Sequence, residues 1–126
     1  MTDSVLVPEV FERLRSAAKG PEVLAELCRD YLAEAHTTLA QLQDASLVKD
    51  AVAFRERAHY LKGSSMMIGA GLLSQCCATM ERMGRVSDFR GAEQILEQTA
   101  AALRAVELEL NRQAGPAALP AEGSAA

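Results

Sequence analysis

The spacing of the apolar residues is the feature that most restricts how this chain can fold. Through most of the sequence Leu, Ala, Val, Ile and Met recur every three or four positions, which places them on one face of an α-helix. No segment alternates apolar and polar residues for long enough to form a strand. Apolar residues make up 49% of the chain and aromatic residues only 4%, which suits helices packed through aliphatic side chains. The chain is therefore predicted to be all-α.

Interruptions in this spacing divide the chain into five predicted helices. A Gly-Pro pair at 20–21 ends the first helix, a Gly-Ala-Gly run at 69–71 ends the third, and Ser87 or Asp88 is expected to cap the fifth. Because the four longer helices are joined by short breaks, we predict an antiparallel up-down-up-down four-helix bundle with a short extra N-terminal helix as a lid. The apolar spacing also predicts that Leu27 and Leu72 point inward. The predicted helices cover residues 8–19, 21–44, 50–69, 72–84 and 87 or 88 to 113.

The length of 126 residues suits one hydrophobic core, which we assign to a bundle domain at residues 1–113. Residues 114–126 are rich in Ala, Pro and Gly without a periodic pattern and are predicted to be a disordered tail. No apolar run approaches the roughly 18 residues that a membrane-spanning helix needs. The N-terminus has no basic region followed by a long apolar stretch, so no signal peptide is expected and the predicted location is the cytoplasm.

The net charge of −4 argues against a general nucleic-acid binder. Residues 55–85 hold five Lys and Arg against two Glu, a local charge of +3, so the rest of the chain carries −7. Such a basic segment could attract an acidic partner surface, although a scatter of solvated charges gives the same count. The cysteines, Cys28, Cys76 and Cys77, have no metal-ligand spacing with either histidine and are expected to be reduced thiols.

His59 has an unusual setting on the third helix. The apolar stripe of that helix is Phe54, Leu61 and Ile68. At about 100° per residue His59 points roughly 160° away from Leu61, towards solvent. Lys62 and Gly63 lie one turn further on the same face. A glycine inside a helix costs about 1 kcal/mol relative to alanine, which suggests that this face must stay open for the close approach of another protein.

The outward face around His59 combines apolar and charged residues. Val52 and Met66 lie on it, with Arg55 and Glu56 at its flank. An apolar centre with a polar rim is typical of a docking surface, whereas the alternative is the ordinary scatter of apolar residues on protein surfaces.

The other residues of this face exclude most chemistry that His59 could perform alone. Glu56 is placed to orient the imidazole, but no Ser or Cys nucleophile completes a triad. Lys62 precedes Gly63 and follows no strand, so this is not a phosphate-binding loop, and no group of carboxylates is placed to hold Mg²⁺. What remains is an imidazole that accepts and gives up a group while a partner supplies the rest of the site.

The run from Ala58 to Ala70, which includes His59-Tyr-Leu-Lys62-Gly63-Ser-Ser, resembles the signature of histidine-containing phosphotransfer (HPt) domains. The similarity continues through Cys77 to Met83-Gly84-Arg85, where it is similar to the stand-alone phosphorelay carriers of yeast and plants. The resemblance implies a four-helix bundle that exchanges a phosphoryl group between His59 and receiver-domain aspartates of response regulators and hybrid histidine kinases.

The resemblance also implies what the chain lacks. Mg²⁺ would be bound by the receiver, so the chain needs no cofactor or metal of its own. Neither a small-molecule substrate, nor a nucleic acid, nor a membrane is expected as a partner, and no ATP-dependent kinase activity is expected. Shuttling to the nucleus would apply only if the source is eukaryotic.

The resemblance assigns roles to single residues as well. Lys62 would lie beside the phosphoryl group, Gly63 would give access to it, and Arg85 would be a basic side chain from the next helix. Glu81 stands where the yeast-type pattern has glutamine. It could pair with Arg85 at i,i+4. Near the phosphohistidine it could speed loss of the group or simply point away, and the sequence does not decide between these. The residues expected to bind the partner are Val52, Arg55, Glu56, Met66 and Glu81.

Two other functions would use the same surface. A helical adaptor could bind a receiver without transferring phosphate, but it would not need both His59 and Lys62. A hydrolase or metalloprotein using His59 would need a nucleophile, a metal cluster or an enclosed pocket, and the sequence predicts none of these.

Overall fold

The computed structural model describes residues 5–115, and within this range all regular secondary structure is α-helical. The predicted all-α class is therefore confirmed. The predicted tail lies, from residue 116 onward, outside the described residues. The helices are α1 Pro8–Ala17, α2 Pro21–Val48, α3 Ala51–Ile68, α4 Gly71–Arg85 and α5 Ala92–Ala114.

The four longer helices form the predicted bundle. Helix α2 packs against α3 and α5, and α4 packs against the same two helices, so the four surround one core. Short connections make sequential helices antiparallel neighbours. Helix α1 packs against α2 and α3, and its Arg15 side chain donates a hydrogen bond to Gln113 near the end of α5. It lies at the end of the bundle where α3 ends, because the backbone N–H of Val7 donates to the carbonyl of Gly69 at 2.7 Å and the Phe11 side chain is buried.

The ends of α3 are fixed by local contacts that the sequence supplies. The Asp50 side chain accepts a hydrogen bond from the backbone N–H of Ala53, which satisfies a donor that the first turn leaves free. At the other end Gly69 has a φ of 86°, a left-handed conformation that favours glycine. A Cβ atom there would lie 3.1 Å from the carbonyl oxygen of Val7. Glycine therefore both ends α3 and lets α1 pack closely on it.

The predicted start of α5 is wrong. The helix begins at Ala92, after Gly91, and no side chain caps it. Asp88 instead accepts hydrogen bonds from the backbone and the guanidinium of Arg90, and Ser87 has a left-handed φ of 55°. Both predicted caps are thus part of the turn before the helix, because Asp88 finds its donors two residues on.

The core is built from the predicted apolar faces with two corrections. Leu27 is 43% exposed and Leu72 is 64% exposed, although both were predicted to point inward. Leu27 lies about 100° around α2 from the buried Cys28, and Leu72 lies about 100° around α4 from the buried Leu73. The buried face of each helix is narrower than predicted and does not include these two leucines. The largest fully buried side chains include Phe54, Leu32, Leu42, Leu61, Leu73, Met80 and Leu103.

Candidate functional site

His59 lies halfway along α3, and its side chain is 69% exposed. Its neighbours on the opposite face of the helix, Ala58 and Leu61, are buried in the core. The helix is fixed on that side by a buried hydrogen bond of 2.7 Å between the hydroxyls of Ser65 and Tyr31 on α2. The imidazole is therefore presented to solvent by a helix whose other face is fixed.

The Glu81 carboxylate on α4 contacts the imidazole itself and two basic side chains beside it. Its Oε2 atom accepts a hydrogen bond from Nδ1 of His59 at 2.9 Å, and its Oε1 atom accepts one from Nζ of Lys62 at 2.6 Å. The guanidinium of Arg85 lies 3.6 Å from Oε2. The Glu81 side chain is only 11% exposed, so these three groups replace most of the water that a free carboxylate would bind.

The charge state of Glu81 follows from these contacts. The hydrogen bond from Lys62 is the main reason that the pKa of Glu81 is lower than usual; burial opposes this change and the hydrogen bond from His59 adds to it. The carboxylate is therefore ionised at neutral pH. An ionised carboxylate only accepts hydrogen bonds, so the imidazole nitrogen facing it must carry the proton.

This contact gives the two ring nitrogens of His59 different protonation states. With the proton on Nδ1, the Nε2 atom of the neutral ring keeps its lone pair. Within residues 5–115 no protein group bonds to Nε2. The site thus presents an oriented, unprotonated nitrogen to whatever approaches α3 from outside.

Close packing of α4 against α3 brings Glu81 to His59. One turn after Glu81, a Cβ atom at Gly84 would lie 2.8 Å from the backbone nitrogen of Arg55 and 2.9 Å from the carbonyl oxygen of Ala51. Only glycine permits this approach of the two backbones. In the sequence, Gly84 is only part of the run that resembles the family signature, and no role is predicted for it. The signal was the glycine itself, three residues after Glu81 and on the same helix face.

One sequence interpretation of the site needs correction. Glu56 was placed to orient the imidazole, but Glu56 is exposed and Nδ1 binds Glu81 instead. Glu81 also does not point away from the site, because it contacts both Arg85 and His59. In the sequence Glu56 looks suitable because it lies one turn from His59 on the same helix. In the structure the carboxylate that binds the imidazole is Glu81 on the neighbouring helix.

The remaining site candidates lie where the helical phase predicted. A Cβ atom at Gly63 would have no neighbour within 4 Å, so the surface beside His59 is open. Val52 is 57% exposed and Met66 is 59% exposed, and Arg55 is partly buried at the edge of the same face. The surface around the imidazole therefore combines two apolar side chains with charged ones.

The second histidine and the cysteines have different settings. Nε2 of His36 lies 3.0 Å from a carboxylate oxygen of Glu107, so α2 and α5 hold that ring between them. The three cysteines are buried and unpaired, and burial raises the pKa of Cys77 to about 12. Among residues 5–115 no cluster of His, Cys, Asp and Glu could hold a metal ion. In the same range no helix is both long and apolar enough to cross a membrane.

Comparison with known proteins identifies a protein family and solved structures with a similar fold. The model of the Hpt domain family matches residues 26–112, which is more than half of the chain. The crystal structure of histidine-containing phosphotransfer protein B from Pseudomonas aeruginosa PAO1 superposes with a TM-score of 0.83 at 25% sequence identity. The similarity covers 90% of this chain and 96% of that one. No curated protein sequence matches significantly.

Proposed function

The chain belongs to the Hpt domain family and is a histidine phosphotransfer protein of phosphorelay signalling; from this premise we propose that His59 is the residue that carries the phosphoryl group. The observation that supports this choice is the contrast between the two histidines. In His59, Nδ1 is held by Glu81, and no group among the described residues 5–115 bonds to Nε2. His36 has its Nε2 atom against Glu107.

The proposed transfer needs no proton movement on this chain. In the forward step the Nε2 lone pair forms a bond to phosphorus while the bond between phosphorus and the receiver aspartate oxygen breaks, and that electron pair returns to the carboxylate. Throughout the transfer the proton stays on Nδ1, where it is hydrogen-bonded to the Glu81 carboxylate. Transfer to a second receiver is the same step in reverse. Because Glu81 holds the ring, the orientation of Nε2 is fixed before the partner arrives.

The basic residues beside His59 suit a phosphorylated state. Lys62 and Arg85 both contact the Glu81 carboxylate that binds the imidazole, and either cation could turn towards the oxygens of a phosphoryl group on His59. We assign Lys62 the role of phosphate neighbour and Arg85 that of a second cation from α4. The open space at Gly63 would admit the edge of an active site that carries an aspartate.

The partner proposed for this surface is a receiver domain of a response regulator or hybrid histidine kinase. Its docking surface on this chain would be formed by Val52 and Met66 with Arg55 and Glu56 at the rim. Glu81, whose side chain is 11% exposed, would contribute only a small area. The receiver would supply the aspartate and the Mg²⁺ that balances charge during transfer. The proposal includes no nucleic acid, membrane or small-molecule substrate, no ATP-dependent kinase activity, and a cytoplasmic site of action, with nuclear shuttling in a eukaryotic source.

The test is transfer of labelled phosphate from a phosphorylated receiver domain. The wild-type chain should acquire acid-labile, alkali-stable phosphate and return it to an unphosphorylated receiver. His59→Gln should acquire none, with unchanged helix content by circular dichroism. A wild-type chain that binds the receiver but stays unlabelled would refute the proposal and favour the adaptor.

A further inference from the structure

Glu81 contacts the ring nitrogen that does not receive the phosphoryl group, so the contact can persist after phosphorylation. Building on the proposed function, we propose that the Glu81 carboxylate retains the Nδ1 proton on phosphorylated His59 and so keeps the phosphoryl group readily transferable and short-lived. Glu81 acts here as a positioning residue, through the imidazole and not on the phosphorus.

The Nδ1 proton decides how easily the N–P bond breaks. When Nε2 is bonded to phosphorus, the ring is cationic if Nδ1 is protonated and neutral if it is not. The bond breaks with its electron pair going to Nε2, while the acceptor oxygen of an aspartate or of water bonds to phosphorus. A ring that has kept its proton leaves as neutral imidazole. A ring that has lost it would leave as an imidazolate anion, which is a much poorer leaving group.

The geometry favours the protonated ring. Oε2 of Glu81 is 2.9 Å from Nδ1, and the carboxylate is largely shielded from water. A hydrogen-bonded opposite charge at this distance stabilises a cationic ring. The charged groups that contact this carboxylate beside the ring are Lys62 from α3 and Arg85 from α4. Helix α2 directs Glu34 to the Tyr60 hydroxyl and not to the ring.

The phosphoryl group would strengthen this arrangement. It carries between one and two negative charges and offers strong acceptor oxygens, so Lys62 and Arg85 gain a second partner beside Glu81. The carboxylate then has fewer competing donors and is more available to Nδ1–H. A glutamine at position 81 would lack the charge, and its amide NH₂ could donate to an unprotonated Nδ1. Glutamine would therefore favour the long-lived form of the phosphohistidine.

The test compares wild type with Glu81→Gln after phosphorylation by phosphoramidate, a small-molecule donor that needs no receiver. Phosphorus NMR follows the ring titration, and phosphate release is timed from pH 5 to 9 in both proteins. Removing the carboxylate should lower the titration midpoint by about one pH unit. Above both midpoints, release should then be about tenfold slower in the variant.

The matched control is Glu97→Gln, which also removes one negative charge. Glu97 is exposed on α5, and α5 does not pack against α3. This variant should behave as wild type. The same midpoint and release rate in wild type and Glu81→Gln would overturn the inference while leaving the proposed function in place. Absence of phosphohistidine from the wild-type protein would overturn both.

A second measurement decides the matter if Glu81→Gln folds poorly. Nitrogen-15 NMR of the phosphorylated wild-type protein reports directly whether Nδ1 of His59 carries a proton. The reference is the same phosphorylated chain in urea, where the contact with Glu81 is lost. A higher midpoint in the folded protein supports the inference, and an equal or lower midpoint overturns it.

Discussion

Replacing Gly84 by alanine should loosen the contact that brings α4 to His59. The added Cβ atom would lie 2.8 Å from the backbone nitrogen of Arg55 and 2.9 Å from the carbonyl oxygen of Ala51, and ordinary van der Waals contact begins at about 3.4 Å. Neither of these backbone atoms can move without shifting the first turn of α3. The two helices must therefore separate, and Glu81 moves with α4 away from the imidazole.

The magnitude follows from two opposing effects. Inserting a methyl group into a packed contact typically costs about 1–3 kcal/mol. Alanine in place of glycine gains up to about 1 kcal/mol inside a helix, and less here because Gly84 lies in the last turn of α4. We expect a net loss of about 1–2 kcal/mol in the free energy of unfolding. For a domain of this size that lowers the melting temperature by roughly 4–8 °C.

Gly63→Ala is the matched control, since it makes the same change in an open position. A Cβ atom at Gly63 meets no atom within 4 Å, so only the gain in helix propensity remains. That variant should be stabilised by about 0.5–1 kcal/mol. Urea and thermal unfolding followed by circular dichroism measure both changes. Equal effects of the two substitutions, or a stabilised Gly84→Ala, would refute the close-packing argument.

Three further predictions concern the site. Gly63→Gln should slow phosphoryl transfer from a receiver about tenfold or more while helix content is kept; transfer at the rate of Gly63→Ala would rule out steric access as the role of this glycine. Met66→Asp should weaken receiver binding about tenfold in calorimetry, whereas Leu108→Asp, at a position on α5 that is 69% exposed against 59% for Met66, should not; equal effects would remove Met66 from the interface. Because the pKa of Glu81 is lower in the folded protein, its ionised form stabilises the fold above about pH 4.5, and this contribution disappears as the pH falls through the lower folded value. Glu81→Gln should therefore lose less stability than wild type on acidification in this range, and an equal loss would contradict the assignment.

The all-α class and the four-helix bundle could be predicted from the sequence because the buried faces of the helices follow a local periodicity. The stripe that contains Phe54, Leu61 and Ile68 is buried as predicted, and its phase places His59 in solvent. Leu27 and Leu72 were predicted to be buried because a spacing of three or four residues does not say how wide the stripe is. That width depends on how closely the neighbouring helices pack, which no single helix encodes.

The main contact of the site was harder to predict. Glu81 and His59 are 22 residues apart and meet only because Gly84 lets α4 approach α3. Periodicity gives the direction of each side chain but not the distance between helices. Glu56, on the same helix as His59, was therefore the natural carboxylate to consider. The start of α5 was missed for a related reason, since Asp88 could cap a helix or bind Arg90 and the sequence permits both.

The central claim is that His59, and not His36, carries the phosphoryl group. Its most direct test is to phosphorylate the wild-type chain from a receiver domain and locate the group by peptide mass spectrometry under alkaline conditions. We predict phosphate on His59 alone, full labelling of His36→Gln, and no labelling of His59→Gln. Phosphate on His36, or undiminished labelling of His59→Gln, would contradict the account.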